Sequence, residues 1–236
     1  MKKLFIVANW KSNKTTSEAK AWLQKMAKLV PQIPNLEERE IIVCPSFTLL
    51  PEMSAFIKEN NLQIKLGVQN ISNFAEGAYT GEVNPKQALE FVTHAIVGHS
   101  ERRKYFHETD DDVILKIKQL IENNIIPVLC ISDMQQLDHY LTEGTVIVDN
   151  ADKIIFVYEP PSAISGGGAF HPESPEVANQ NAAEISKKIG KKVITLYGGS
   201  VNPESATALF GQENIEGGLI GQASLDPEAF IKIINS

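Results

Sequence analysis

Eight short apolar runs recur along the chain at residues 5–8, 41–44, 64–68, 95–97, 126–130, 154–158, 193–197 and 218–220. They are nearly uninterrupted rather than alternating apolar with polar, the mark of strands covered on both faces. Between them lie helical patterns. Residues 17–29 place Ala19, Trp22, Leu23, Met26 and Val30 on one stripe with lysines opposite. Residues 110–121 repeat Val113, Ile114, Ile117, Leu120 and Ile121 behind three acids that suit a helix N-terminus. Helices at 175–189, 203–210 and 227–234 each open on a proline. Strands that alternate with helices build a parallel sheet, and eight such units can close into a (β/α)8 barrel. Alternation alone also fits an open doubly wound sheet. No Gly-rich dinucleotide fingerprint follows the first strand, which favours the barrel.

Composition bounds the function. The 236 residues carry 22 Lys+Arg against 29 Asp+Glu, a net charge of −7. That balance offers no positive field for nonspecific nucleic-acid binding. Hydrophobic residues make up 43% and charged residues 22%, an ordinary globular composition. No Ser/Pro-rich linker or composition break divides the chain, so one domain over residues 1–236 is expected. Cys44 and Cys130 sit singly inside apolar runs, which predicts neither a disulfide framework nor a zinc site. Met1-Lys2-Lys3 and the short apolar run behind it resemble a leader but are interrupted by Asn9-Trp10-Lys11. No apolar run has the length of a membrane span. The expectation is a cytoplasmic protein with no membrane or nucleic-acid partner.

Parallel barrels gather their chemistry at the C-terminal ends of the strands. Asn9 and Lys11 follow the first run, His99 and Glu101 the fourth, and Glu159 the sixth. Gly198-Gly199-Ser200 and Gly221-Gln222 follow the seventh and eighth, where barrel phosphate sites form on backbone amides. An ammonium, an imidazole and a carboxylate opposite phosphate turns suit proton abstraction beside a carbonyl in a phosphorylated substrate. Each residue also has a plainer reading. Lys11 could be a solvated loop cation, His99 a cap on the following helix, and Glu159 one half of a rim salt bridge. His94 lies five residues before His99, which is not a metal-binding spacing, and His107, His139 and His171 lie in polar or loop-like stretches. No metal is expected. Pro160-Pro161-Ser162-Ala163-Ile164-Ser165-Gly166-Gly167-Gly168 joins stiff prolines to free glycines, as a hinged lid would.

These residues resemble the triosephosphate isomerase family. The matching segments are Asn9-Trp10-Lys11, Gln69-Asn70, Gly77-Ala78-Tyr79-Thr80-Gly81-Glu82, Gly98-His99-Ser100-Glu101-Arg102-Arg103, Tyr158-Glu159-Pro160, Tyr197-Gly198-Gly199-Ser200-Val201 and Gly221-Gln222-Ala223-Ser224-Leu225. They occur in family order over nearly the whole chain. The resemblance implies a single-domain TIM barrel of eight parallel strands and outer helices. It implies interconversion of dihydroxyacetone phosphate and D-glyceraldehyde 3-phosphate through an enediolate, in glycolysis and gluconeogenesis, without cofactor or metal. Glu159 would be the base, His99 the electrophile at the carbonyl oxygen, and Lys11 the positive charge at the substrate. Asn9 and Trp10 would join Lys11 in binding substrate, and Glu101 would support Lys11. The phosphate would rest on Ser165, Ser200, Gly221 and Gln222. A homodimer is implied too, with Thr80 at the tip of the contact loop.

The chain departs from the family pattern in places. Ser162 fills a lid position where tryptophan is usual, and Ser165-Gly166-Gly167-Gly168 replaces Gly-Thr-Gly-Lys, which predicts altered lid kinetics. Gln222 replaces a glycine, and Ile131-Ser132-Asp133 replaces Ile-Gly-Glu ahead of a shortened outer segment that ends near Asp152. Two rival readings are another phosphate-binding barrel, such as one in aromatic amino-acid synthesis, and a scaffold that kept the barrel but lost turnover. The first needs the phosphate turns but not both His99 and Glu159.

Overall fold

Eight strands, each too apolar to face water, close on one another as a parallel barrel in sequence order. The computed structural model describes residues 2–160 and 173–236. The strands are β1 (Leu4–Asn9), β2 (Arg39–Cys44), β3 (Lys65–Val68), β4 (His94–Val97), β5 (Ile126–Ile131), β6 (Ile155–Tyr158), β7 (Ile194–Tyr197) and β8 (Gly217–Ile220). Around them run α1 (Thr16–Leu29), α2 (Leu50–Glu59), α3 (Pro85–Ala88), α4 (Ser100–Phe106), α5 (Asp110–Glu122), α6 (Met134–Glu143), α7 (Thr145–Asp149), α8 (Pro175–Ile189), α9 (Pro203–Phe210) and α10 (Pro227–Ile234). The stretch expected to hold a shortened outer helix forms two short ones, α6 and α7, divided at Gly144.

Alternation along each strand splits the core in two. Val7, Ile42, Ile96, Val128, Val157 and Leu196 fill the barrel interior, all fully buried. The intervening residues, Ile6, Ile41, Val43 and Val97 among them, turn outward under the helices, where they meet residues such as Leu23, Ile117 and Ile185. Helix starts are fixed chemically. Thr109 and Asp112 form a capping box on α5, and Ser174, Asn202 and Asp226 cap α8, α9 and α10 just ahead of their prolines. No helix among the described residues is long and apolar enough to cross a membrane.

Closure depends on the seam between β1 and β8. Phe5 to Ala8 pair with Gly217 to Ile220, and the Phe5 amide donates to the Glu216 carbonyl at 2.8 Å. Gly217 sits at φ +130°, and a Cβ there would overlap the Phe5 carbonyl oxygen. Only glycine tolerates both the torsion and the approach. Gly217→Ala is therefore expected to lower stability by more than about 3 kcal/mol, read as a lower urea midpoint or as loss of soluble protein.

Candidate active site

β1 ends at Asn9, and the chain leaves it through Trp10 and Lys11. Lys11 adopts the left-handed conformation, φ +51°, at a cost of about 1–2 kcal/mol for a residue with a Cβ. Three groups hold it there. Its amide donates to Asn9 Oδ1 at 3.1 Å, and its carbonyl accepts from Gln69 Nε2 at 2.8 Å. Its ammonium pairs with Glu101 Oε1 at 2.5 Å. Gln69 Nε2 also reaches the Cys44 carbonyl at 2.9 Å, so one amide pins the Lys11 turn to the end of β2. The Lys11 side chain passes over β8, with its Cε 3.6 Å from where a Cβ on Gly221 would stand.

At the end of β4, His99 is the N-cap of α4, so the plainer reading of this residue holds geometrically as well. The Glu101 amide donates to His99 Nδ1 at 3.2 Å. An amide can only donate, so this hydrogen bond assigns the lone pair to Nδ1 and the ring proton to Nε2. That nitrogen lies 2.9 Å from Glu159 Oε1. The second oxygen, Oε2, accepts from the Ser100 amide at 3.0 Å. Glu159 follows β6 and its own amide is tied to the Ile131 carbonyl at 2.8 Å, so its backbone is fixed, and the residue is buried. Lys11, Glu101, His99 and Glu159 thus form one chain of contacts across the mouth of the barrel. Glu101 links its two halves, with its amide on His99 Nδ1 and its carboxylate on Lys11.

The turns expected to hold phosphate follow β7 and β8. Ser200 is half-buried behind β7, and Gly221 opens the turn behind β8. The Gly221 carbonyl is capped by the Ser224 amide and hydroxyl at 2.9 and 2.7 Å. Gln222 points its side chain into solvent, and its backbone needs no left-handed torsion, so a residue larger than glycine is accommodated there. Trp10 requires a correction. Its side chain has no exposed surface and meets Trp22 edge-on at 5.0 Å, while Trp22 Nε1 donates to the Ser224 carbonyl at 3.1 Å. Trp10 is wedged beneath the turns and does not offer its ring to a ligand. Ser165, Ser162 and the glycines 166–168 lie outside the described residues.

Sequence reasoning missed the frame that holds the end of β4. Glu108 Oε1 accepts from the Gly98 amide at 3.1 Å, directly before His99. Its Oε2 accepts from Arg102 and Lys116, both at 2.5 Å, and Lys116 also reaches Asn70 Oδ1 at 2.8 Å. Burial alone would raise the Glu108 carboxyl, but the two cations hold it below its ordinary range. The sequence did contain a signal. Lys116 falls on the apolar stripe of α5 with Val113, Ile117 and Leu120, where a lysine needs a buried partner. No group of His, Cys, Asp or Glu that could hold a metal ion occurs among the described residues.

A parallel barrel that collects a carboxylate, an imidazole and an ammonium at one mouth, beside glycine-containing turns, is an enzyme scaffold for proton transfer on a small substrate. The triosephosphate isomerase family profile matches residues 4–236. Triosephosphate isomerase of Mesomycoplasma hyorhinis is 38% identical over 245 aligned residues, covering 99% of this chain and 98% of that protein. Those of Dictyoglomus thermophilum and Fusobacterium nucleatum subsp. nucleatum are each 36% identical, the first covering 100% of both chains and the second 100% of this chain and 99% of its own. The chain belongs to the triosephosphate isomerase family.

Gln69 joins the Trp10 amide on the Cys44 carbonyl and so ties the Lys11 turn to β2. Gln69→Glu turns a donor into an acceptor facing two carbonyl oxygens. It should lower the melting temperature by roughly 5–10 °C in a thermal scan at pH 7.

Proposed function

We propose that Glu159, His99 and Lys11 carry out the isomerisation of dihydroxyacetone phosphate and D-glyceraldehyde 3-phosphate. The observation that supports it best is the shared hydrogen bond between Glu159 Oε1 and His99 Nε2, which brings a base and a polarising N–H together at one barrel mouth. Both carboxylate oxygens of Glu159 are engaged, one by His99 and one by the Ser100 amide. To reach a substrate carbon the carboxylate must leave both partners. That movement also frees His99 Nε2–H for the carbonyl oxygen, so the two groups are released to the substrate together.

Glu159 then takes the proton from the carbon bearing the hydroxyl while His99 donates to the neighbouring carbonyl oxygen, which yields an enediol or enediolate. Return of the proton to the other carbon, with His99 recovering its own from the second oxygen, completes the exchange. Lys11 stabilises the oxyanion and the phosphate, with Asn9 and Glu101 holding it in place. Ser200, Gly221 and Gln222 receive the phosphate through their amides, with Ser165 as a further donor. No step needs a cofactor or metal. The setting is cytoplasmic glycolysis and gluconeogenesis.

A coupled assay with dihydroxyacetone phosphate in chelator-treated buffer should give turnover. Glu159→Asp, which draws the carboxylate back by one methylene, should lower kcat about 10²-fold and change KM less than about threefold. A rate near wild type in that variant would remove Glu159 from the role of base.

The second part of the reading is a homodimer. Residues 74–82 are all exposed, and the loop is pinched at its base by the Ser72 amide on the Val83 carbonyl at 2.9 Å. It carries Phe74 stacked on Tyr79 at 4.2 Å, each more than 40% exposed, beside Thr80. Tyr105 and Phe106 at the end of α4 are 62% and 65% exposed. An aromatic pair held ready in water is what a partner surface buries. Tyr79→Asp should shift the species seen by analytical ultracentrifugation from dimer to monomer.

A further inference from the structure

The end of the barrel opposite the site carries a titratable group that the isomerisation does not use. His94, at the start of β4, has no exposed surface. Its Nδ1 meets the Thr93 hydroxyl at 2.7 Å, and its Nε2 is buried with no hydrogen-bond partner, 3.6 Å from Glu40 Oε1. Glu40, near the start of β2, is itself buried and already committed. Oε1 pairs with Lys65 at 2.7 Å and Oε2 with Lys3 at 2.5 Å. These are the charged groups that face the imidazole: Glu40 from β2, Lys65 from β3 and Lys3 ahead of β1. Its β5 neighbour, Ile126, is apolar.

Lys65 is also the first residue of β3, the strand with the shortest pairing in this part of the barrel. It matches β2 only at Lys65 and Leu66 and β4 only at Gly67 and Val68, whereas β1 and β2 are matched over six residues each. The Lys65–Glu40 ion pair therefore holds a strand that has little ladder of its own. A proton on His94 would add a third cation to a carboxylate whose two oxygens are taken, in a place that water cannot reach.

We propose that His94, Glu40, Lys65 and Lys3 form a clasp on β3 that a proton opens. When His94 takes a proton from solvent, the imidazolium either displaces Lys65 from Glu40 or draws water in by releasing the strand end. Both outcomes free β3, and with it the chain that leads into the exposed loop at 74–82. The closed clasp keeps the ring neutral, since burial pushes His94 down to about 4, with Glu40 only partly offsetting it. In the released strand the ring returns to its ordinary value near 6.5. Release therefore becomes easier as pH falls from about 6.5 and levels off below about 4.

Hydrogen exchange read by NMR tests this on the wild-type protein. After correction for intrinsic exchange, protection at the Gly67 and Val68 amides should fall about 20-fold from pH 7 to pH 5, with β6 and β7 much less affected. The fall should vanish in His94→Gln and His94→Phe. A direct titration of the His94 ring in the wild type should show it neutral at pH 5.5. Protection that falls equally in all strands, a fall that survives both substitutions, or a ring that titrates near 6.5 in the native state would each overturn the proposal. None of these readouts depends on turnover, so failure here is separate from failure of the isomerase reading.

Discussion

Every strand of this barrel is buried on two sides, and that constraint governs where chemistry can reside. A polar side chain in mid-strand would need a partner inside one of two apolar layers, so polar groups collect at the strand ends. At the upper ends stand Asn9, His99 and Glu159, and at the lower ends Glu40, His94 and Glu216. All six are buried or nearly so. The lower set is satisfied by lysines at the rim or by backbone, with the His94 Nε2 the exception. The upper set is satisfied by the backbone amides of Lys11, Glu101 and Ser100 and by the contact of His99 with Glu159.

Much of this was legible in the sequence because the relevant forces are local. Doubly covered strands must be apolar throughout, so the apolar runs mark the observed strands to within about two residues. Four helices begin where a proline follows a capping residue, and the three longer ones, at 175, 203 and 227, are legible from it. The positions of Glu159 and His99 could be read because the strand before each is short, unbroken and followed at once by the polar group. Their mutual geometry could not. That Glu101 donates its amide to His99 and holds Lys11 with its carboxylate is a coincidence of two strand ends, those of β1 and β4, and sequence spacing does not encode distances across a barrel.

The misread residues share a cause. Trp10 lies between two polar site residues, and adjacency suggested a shared duty. An aromatic ring at a strand end has apolar area to bury, however, and here it finds Trp22 below rather than the opening above. Glu108 and Lys116 are not legible as parts of the site, and Gln69 only as part of a segment similar to the family, for the opposite reason. They touch no expected substrate atom, and their work is to fix the backbone of Lys11 and Gly98. His94 has a spacing from His99 that fits no metal motif. Its interest arises from what surrounds it, two strands away.

The contact of Lys11 with Glu101 carries a further meaning. An arriving molecule meets an ammonium already neutralised by a carboxylate 2.5 Å away, so admission amounts to an exchange of counter-ions. A neutral sugar has nothing to trade, and a singly charged ester trades poorly. On the proposed reading, a doubly ionised phosphate would displace the resident carboxylate while it met the amides after β7 and β8. The mouth of the barrel would then discriminate by charge before it discriminates by shape, and raising ionic strength should blunt that preference.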